Sequence, residues 1–110
     1  MQRLPDSDKH VDLYLFAYGT LLDPSVQQLV VGRRILGEAD HLAGYRLTTV
    51  RDGDETFPNV TPDPAGTVSG RVLTVDVDEL NRVDRYEGSP YRRVETTLAS
   101  GLRAWVYIAP

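Results

Sequence analysis

This 110-residue chain predicts an α+β fold: a small, twisted, barrel-like and mainly antiparallel β-sheet carrying two short helices. Three observations carry the prediction. The hydrophobic pattern gives the element order β-α-β-β-loop-β-α-β-β, which suits helices packed on one sheet. The length and the 41% hydrophobic content fit one compact domain with a modest core and leave no room for a second. No internal repeat or low-complexity segment breaks the chain.

Residues 1–12 are polar, include Pro5 and hold no apolar run, so they read as a flexible segment ahead of a domain spanning 13–110. They resemble neither a signal peptide nor a membrane anchor. The first strand, Leu13-Tyr14-Leu15-Phe16-Ala17-Tyr18, has no polar face and should be covered on both sides. It ends at Gly19, where the chain is free to turn sharply and present backbone N–H groups.

Asp23-Pro24 reads as an N-cap followed by proline at the first helical position. Val26, Leu29 and Val30 then share one face, and Gly32 stops the helix. Ile35 to Ala39 and Tyr45 to Val50 read as strands joined through Ala43-Gly44. From Arg51 to Gly66 the pattern dissolves into Pro, Gly and Asp, with Phe57-Pro58 as the one apolar anchor. This predicts a long loop, either a lid over a site or a plain solvated connection. Thr67 to Val77 returns to strand, with Gly70 marking a bulge or a close backbone approach. A helix over Asp78 to Glu87 follows, and Tyr91 to Leu98 and Leu102 to Ala109 form a hairpin across Ala99-Ser100-Gly101.

Composition excludes several functions. The net charge is -4 and no basic block exceeds the pairs Arg33-Arg34 and Arg92-Arg93, which argues against nucleic acid as a partner. The absence of cysteine removes disulfides, thiolate metal sites and cysteine nucleophiles, and is compatible with a reducing cytoplasm. His10 and His41 are the only histidines, so a metal site or a Ser-His-Asp triad would rest on His41 alone. Asp52, Asp54 and Glu55 lack the spacing of a calcium loop. The expectation is therefore a site without metal or cofactor, and without membrane attachment.

Two features suggest chemistry. With Asp78 as the cap, Leu80, Val83 and Glu87 share the helix stripe that should face the sheet, so Glu87 stands where a core hydrophobe belongs. Burial and the negative end of the helix dipole both raise the pKa of a carboxylate there, which makes a better general base at neutral pH. Alternatively the helix ends early and Glu87 pairs with Arg92 or Arg93; Asp84 also lies near the inner stripe, and the pattern does not separate the two. The second feature is the Tyr18-Gly19-Thr20-Leu21 turn, which lacks the spacings of nucleotide phosphate loops. Its backbone donors suit a substrate carboxylate or a developing oxyanion, although glycine after a strand is also ordinary punctuation.

These pieces, in this order, resemble the γ-glutamylcyclotransferase-like family, in particular its γ-glutamylamine cyclotransferase and AIG2-like branch. The matching residues are Leu15-Phe16-Ala17-Tyr18 with Gly19-Thr20-Leu21, then Phe57-Pro58, then Val68-x-Gly70-x-Val72. The most specific stretch is Leu80-x-x-Val83-Asp84-x-Tyr86-Glu87-Gly88-x-x-Tyr91-x-Arg93. The likeness runs from about Leu13 to Ile108, with Asn59-Val60 departing from the small residue more usual after the loop proline. The resemblance implies an enzyme that cyclises a γ-glutamyl group to 5-oxoproline and releases the amine or amino acid. It implies Glu87 as the acid/base residue, with Tyr18, Gly19, Thr20 and Leu21 holding the glutamyl moiety. Tyr91 and Arg93 belong to the same motif, and a guanidinium near the cavity would neutralise a substrate carboxylate; structural packing at the start of the hairpin is the alternative for both. The rival reading is a non-catalytic small-ligand-binding or protein-interaction module on the same fold. Oligomeric state is left open.

Overall fold

A computed structural model describes residues 11–110; the expected flexible segment lies, up to residue 10, outside the described residues. Five strands form one mixed sheet in the order β2-β3-β1-β5-β4. They are β1 (Leu13–Ala17), β2 (Glu38–Asp52), β3 (Glu55–Val75), β4 (Arg92–Thr97) and β5 (Arg103–Ile108). Among the described residues two α-helices, α1 (Pro24–Val30) and α2 (Val77–Glu87), complete the predicted α+β architecture. Every strand pairing is antiparallel except that of β1 with β5, which register at Leu15 and Trp105.

The central place of β1 follows from its lack of a polar face. Leu15 and Ala17 join a cluster with Leu73, Val75, Leu80, Val83 and Tyr107. Phe16, on the other face, packs with Leu42, Val60, Val68, Val72 and Val106. Covering both faces buries Leu15, Phe16 and Ala17 and leaves Leu13 and Tyr14 partly exposed at the start of the strand. Gly70 is a site of close approach: a Cβ there would lie 2.4 Å from the Ala17 carbonyl oxygen.

β1 is short, and its neighbours outrun it. Beyond Ala17 the sheet curls into a half-barrel, in which β3 meets the end of β5 directly. Asn59 closes that seam, its amide donating to the Ala109 carbonyl at 3.1 Å and its oxygen accepting from the Ala109 N–H at 3.0 Å. One side chain thus supplies the two bonds that a neighbouring strand would make. The departure at Asn59 from the small residue expected there has this structural reason.

Four expectations are corrected. The two strands expected at Ile35 to Ala39 and Tyr45 to Val50 are one strand of 15 residues, β2, and Ala43-Gly44 is an irregularity within it. The register shifts between Ala43 and Tyr45, where Gly44 adopts φ +86.

The long loop of Arg51 to Gly66 does not exist. The connection is a tight turn at Gly53-Asp54, and β3 runs back as a strand of 21 residues paired with β2 from Asp52↔Glu55 to Tyr45↔Pro62. Pro58 and Pro62 are tolerated because, four residues apart, they occupy the same edge of the strand. The unbroken register places that edge away from β2, where no N–H is needed.

In α1, Asp23 caps the helix and Pro24 occupies its first position, as expected. Leu29, however, is 87% exposed, and the buried residue is Gln27. Its amide donates to the Leu21 carbonyl at 2.8 Å and accepts from the Ile35 N–H at 2.7 Å, so tertiary hydrogen bonds displace a leucine from the inner face. Helix α2 is capped by Asp76 rather than Asp78, in a capping box with Glu79. Among the described residues no helix is long and apolar enough to cross a membrane.

Candidate active site

Where β1 stops, a cavity of about 300 Å³ opens between the turn that follows it, the β2–β3 hairpin and the C-terminal end of α2. Its floor is the Leu15-Phe16-Ala17-Tyr18 strand, and Gly19, Thr20 and Leu21 form one wall. Phe57 and Pro58 face them from β3, with Asp52 at the end of β2. Tyr86, Glu87, Ser89, Pro90, Tyr91 and Tyr107 close the remainder.

Glu87 arrives by the helical stripe. Leu80 and Val83 are buried against the sheet, and the same face, one further turn along, turns Glu87 into the cavity. Burial pushes its carboxyl up to about 7 from an ordinary 4.5. It has no ion-pair partner among the described residues. Asp84 has a different fate: it accepts from Arg93 Nε at 2.9 Å and Nη2 at 3.1 Å, and from the Tyr107 hydroxyl, and lies outside the cavity lining. The geometry therefore separates two carboxylates that the sequence pattern could not.

Three tyrosines lining the cavity have committed hydroxyls. Tyr18 donates to the Tyr107 carbonyl at 2.6 Å, Tyr91 donates to the Pro58 carbonyl, and Tyr107 donates to Asp84. Burial is the main cause that raises all three phenol pKa values, that of Tyr91 to about 12, with the negative charge of Glu87 adding to each. They stay protonated at neutral pH, and each of these protons points to an acceptor other than Glu87. Glu87 is thus left as an underbonded carboxylate, free to exchange a proton with whatever enters.

The turn after β1 is a single 3₁₀ turn, Thr20–Leu22. Its bonds begin with Leu22 N–H to the Gly19 carbonyl and Asp23 N–H to the Thr20 carbonyl, both at 3.0 Å. The N–H groups of Thr20 and Leu21 precede these and find no turn partner among the described residues. The Leu21 side chain is buried in the core, so it offers the cavity its backbone. Gly19 has φ -128, so the turn does not need a left-handed residue. What glycine provides is room: a Cβ there would touch Pro58 Cβ and Cγ at 3.4 Å. The Thr20 hydroxyl lies 2.9 Å from that of Tyr86.

Of the residues expected at the site, Tyr18, Gly19, Thr20, Leu21, Glu87 and Tyr91 line one cavity. Arg93 does not. Its guanidinium is held by Asp84 and stacks 4.3 Å from the centre of the Trp105 ring, so it is placed to fix α2 on the β4–β5 hairpin rather than to meet a substrate carboxylate. Sequence reasoning missed Asp52, Tyr86 and Tyr107 as cavity residues. A tyrosine in a strand as apolar as Ala104 to Ile108 needs a partner for its hydroxyl, and that requirement is the signal for Tyr107. Among the described residues no group of three or more ligating side chains is placed to hold a metal.

A family model described as gamma-glutamyl cyclotransferase, AIG2-like, matches residues 15–110. Among curated proteins, Protein AIG2 C of Arabidopsis thaliana is 32% identical over 81 residues, which cover 73% of this chain and 48% of that protein. AIG2-like protein A of the same plant matches to the same extent. The chain thus spans about half the length of these relatives. A solution structure of an Arabidopsis thaliana protein superposes with a TM-score of 0.78 at 26% identity, covering 90% of this chain and 62% of that one. A structure named gamma-glutamyl cyclotransferase superposes with a TM-score of 0.75 at 18% identity, covering 91% and 68%, a likeness of fold.

Proposed function

The chain belongs to the gamma-glutamyl cyclotransferase, AIG2-like family, and we propose that it cyclises the γ-glutamyl group of a γ-glutamyl amine or amino acid to 5-oxoproline. One observation carries this reading: a carboxylate with a pKa raised to about 7 and no ion-pair partner among the described residues stands in the cavity at the end of β1.

The nucleophile is the α-amine of the substrate itself. As an ammonium with a reference pKa of about 7.7–8.0 it cannot attack, so Glu87 first removes its proton. The freed nitrogen then attacks the γ-carbonyl carbon, and the carbonyl electrons move to oxygen. Collapse of that oxyanion breaks the bond to the leaving nitrogen, which takes from Glu87 the proton first removed from the α-amine. The ring nitrogen, still carrying two hydrogens, gives up its surplus proton through Glu87, and the amine departs as an ammonium. One C–N bond forms and one breaks, with no oxidant or reductant, so neither a metal nor a side-chain nucleophile is required.

The backbone N–H groups of the Gly19 to Leu21 turn suit the substrate carboxylate or the oxyanion, while Tyr18 and Tyr91 shape the walls that hold the glutamyl chain bent. Ring closure within one molecule gains chiefly from that bending, because productive orientation is what an unbound glutamyl chain lacks. The test is a panel of γ-glutamyl amides assayed for released 5-oxoproline with the wild-type chain and Glu87→Gln. Release from no member of the panel, or equal release by both proteins, would overturn the proposal.

A further inference from the structure

With Arg93 committed to Asp84, the cavity lining contains no lysine, arginine or histidine among the described residues. Its ionisable groups besides tyrosines are Glu87, half-buried at the helix end, and Asp52, exposed at the end of β2. Asp52 has no ion-pair partner among the described residues. Its cross-strand neighbour, Glu55, adds a second negative charge instead of cancelling the first. Arg51, next in sequence, projects from the opposite face of the strand by the two-residue alternation. Among the described residues the mouth is therefore negative.

A γ-glutamyl substrate brings one carboxylate of its own, for which the turn amides are available. A leaving group bearing a second carboxylate would place it in a cavity whose described residues offer no cation. One bearing an ammonium would meet Asp52. Resting on the cyclisation proposed above, we infer that Asp52 is a specificity-determining residue that favours γ-glutamyl amides whose leaving amine carries a second, positively charged amino group. Its exposure means that the preference is moderate and screened by salt.

Three amides of matched length test this: γ-glutamyl conjugates of 1,4-diaminobutane, pentylamine and 5-aminopentanoate, which end in an ammonium, a methyl and a carboxylate. The expected order of kcat/KM follows that sequence. The ratio of the ammonium-ended to the methyl-ended amide should fall roughly threefold to fivefold in Asp52→Asn, the usual worth of an exposed ion pair. In Asp52→Lys the ammonium-ended and carboxylate-ended amides should exchange places. Because each ratio is taken within one protein, a loss of folded fraction cancels. Ratios that are the same in wild type and both variants would overturn the inference while leaving cyclisation intact. If none of the three amides releases 5-oxoproline, the cyclisation reading fails for this class, and equilibrium binding of the same amides decides. Tighter binding of the ammonium-ended amide that disappears in Asp52→Asn upholds the role of Asp52, and equal binding of all three overturns it.

Discussion

Asp84 and Glu87 stand three residues apart on α2 and meet opposite environments: Asp84 is held by Arg93 and Tyr107, while Glu87 faces the cavity without an ionic partner among the described residues. The same helix thus carries one carboxylate that anchors and one that is available for proton transfer.

Replacing Glu87 by Gln keeps the side-chain volume but removes the proton acceptor. Turnover should fall roughly 10²–10⁴-fold, the usual contribution of general acid–base catalysis, while affinity for a substrate analogue is retained. Steady-state kinetics combined with calorimetric binding checks this, and a Gln variant that turns over at the wild-type rate would exclude Glu87.

Glu87 also makes stability depend on pH in a defined direction. Its folded-state pKa of about 7 lies above the ordinary 4.5, so the folded state binds the proton more tightly than the unfolded state does. The stability this contributes is fully present below about 4.5 and is lost as pH rises through about 7. The melting temperature of the wild type minus that of Glu87→Gln should therefore fall across that interval and level off above it. A difference constant in pH would contradict the raised pKa.

Asp84→Asn should lower activity only a few-fold, and Arg93→Leu should cost about 1 kcal/mol of stability, because their ion pair is partly solvated. Urea titration with parallel kinetics distinguishes the roles. An inactive Asp84→Asn protein that remains fully folded would move the base to Asp84.

Gly19→Ala should be tolerated, since its Cβ would make an ordinary 3.4 Å contact with Pro58. Gly19→Val carries methyl groups further into the space between Gly19 and Pro58 and should raise KM more than Thr20→Ala does. Unchanged KM and kcat in Gly19→Val would mean that substrate does not approach this turn.

Asn59→Ala should destabilise the fold by about 1–3 kcal/mol, because it strands the buried N–H and C=O of Ala109 without partners. Equilibrium unfolding measures the loss, and an unaffected midpoint would show that water takes over both bonds.

Local periodicity made much of the fold legible. The apolar run of β1, the Leu80-Val83-Glu87 stripe and the closing hairpin all depend on residues near one another in sequence. The β2–β3 hairpin was not legible, because three prolines between Phe57 and Gly66 read as a loop until the edge they occupy is known, and that edge depends on where β2 lies. Arg93 shows the same limit at the site. Its place in a motif marked it, but whether a guanidinium meets substrate or Asp84 depends on how β4 crosses α2. Gln27 was hidden for a similar reason, since its buried amide is justified by Leu21 and Ile35 carbonyl and amide groups that only the fold brings together.

The seam at Asn59 gives the cavity a mechanical property. Pro58 directly precedes Asn59, and Tyr107 is two residues from Ala109, so opposing walls are stitched together by one carboxamide. Phe57 and Pro58 cannot swing outward on their hairpin while that stitch holds. The hairpin and the end of β5 should accordingly open together in native-state fluctuations, so that amide protons on both sides of the seam are expected to exchange with solvent in the same event, as hydrogen exchange would measure.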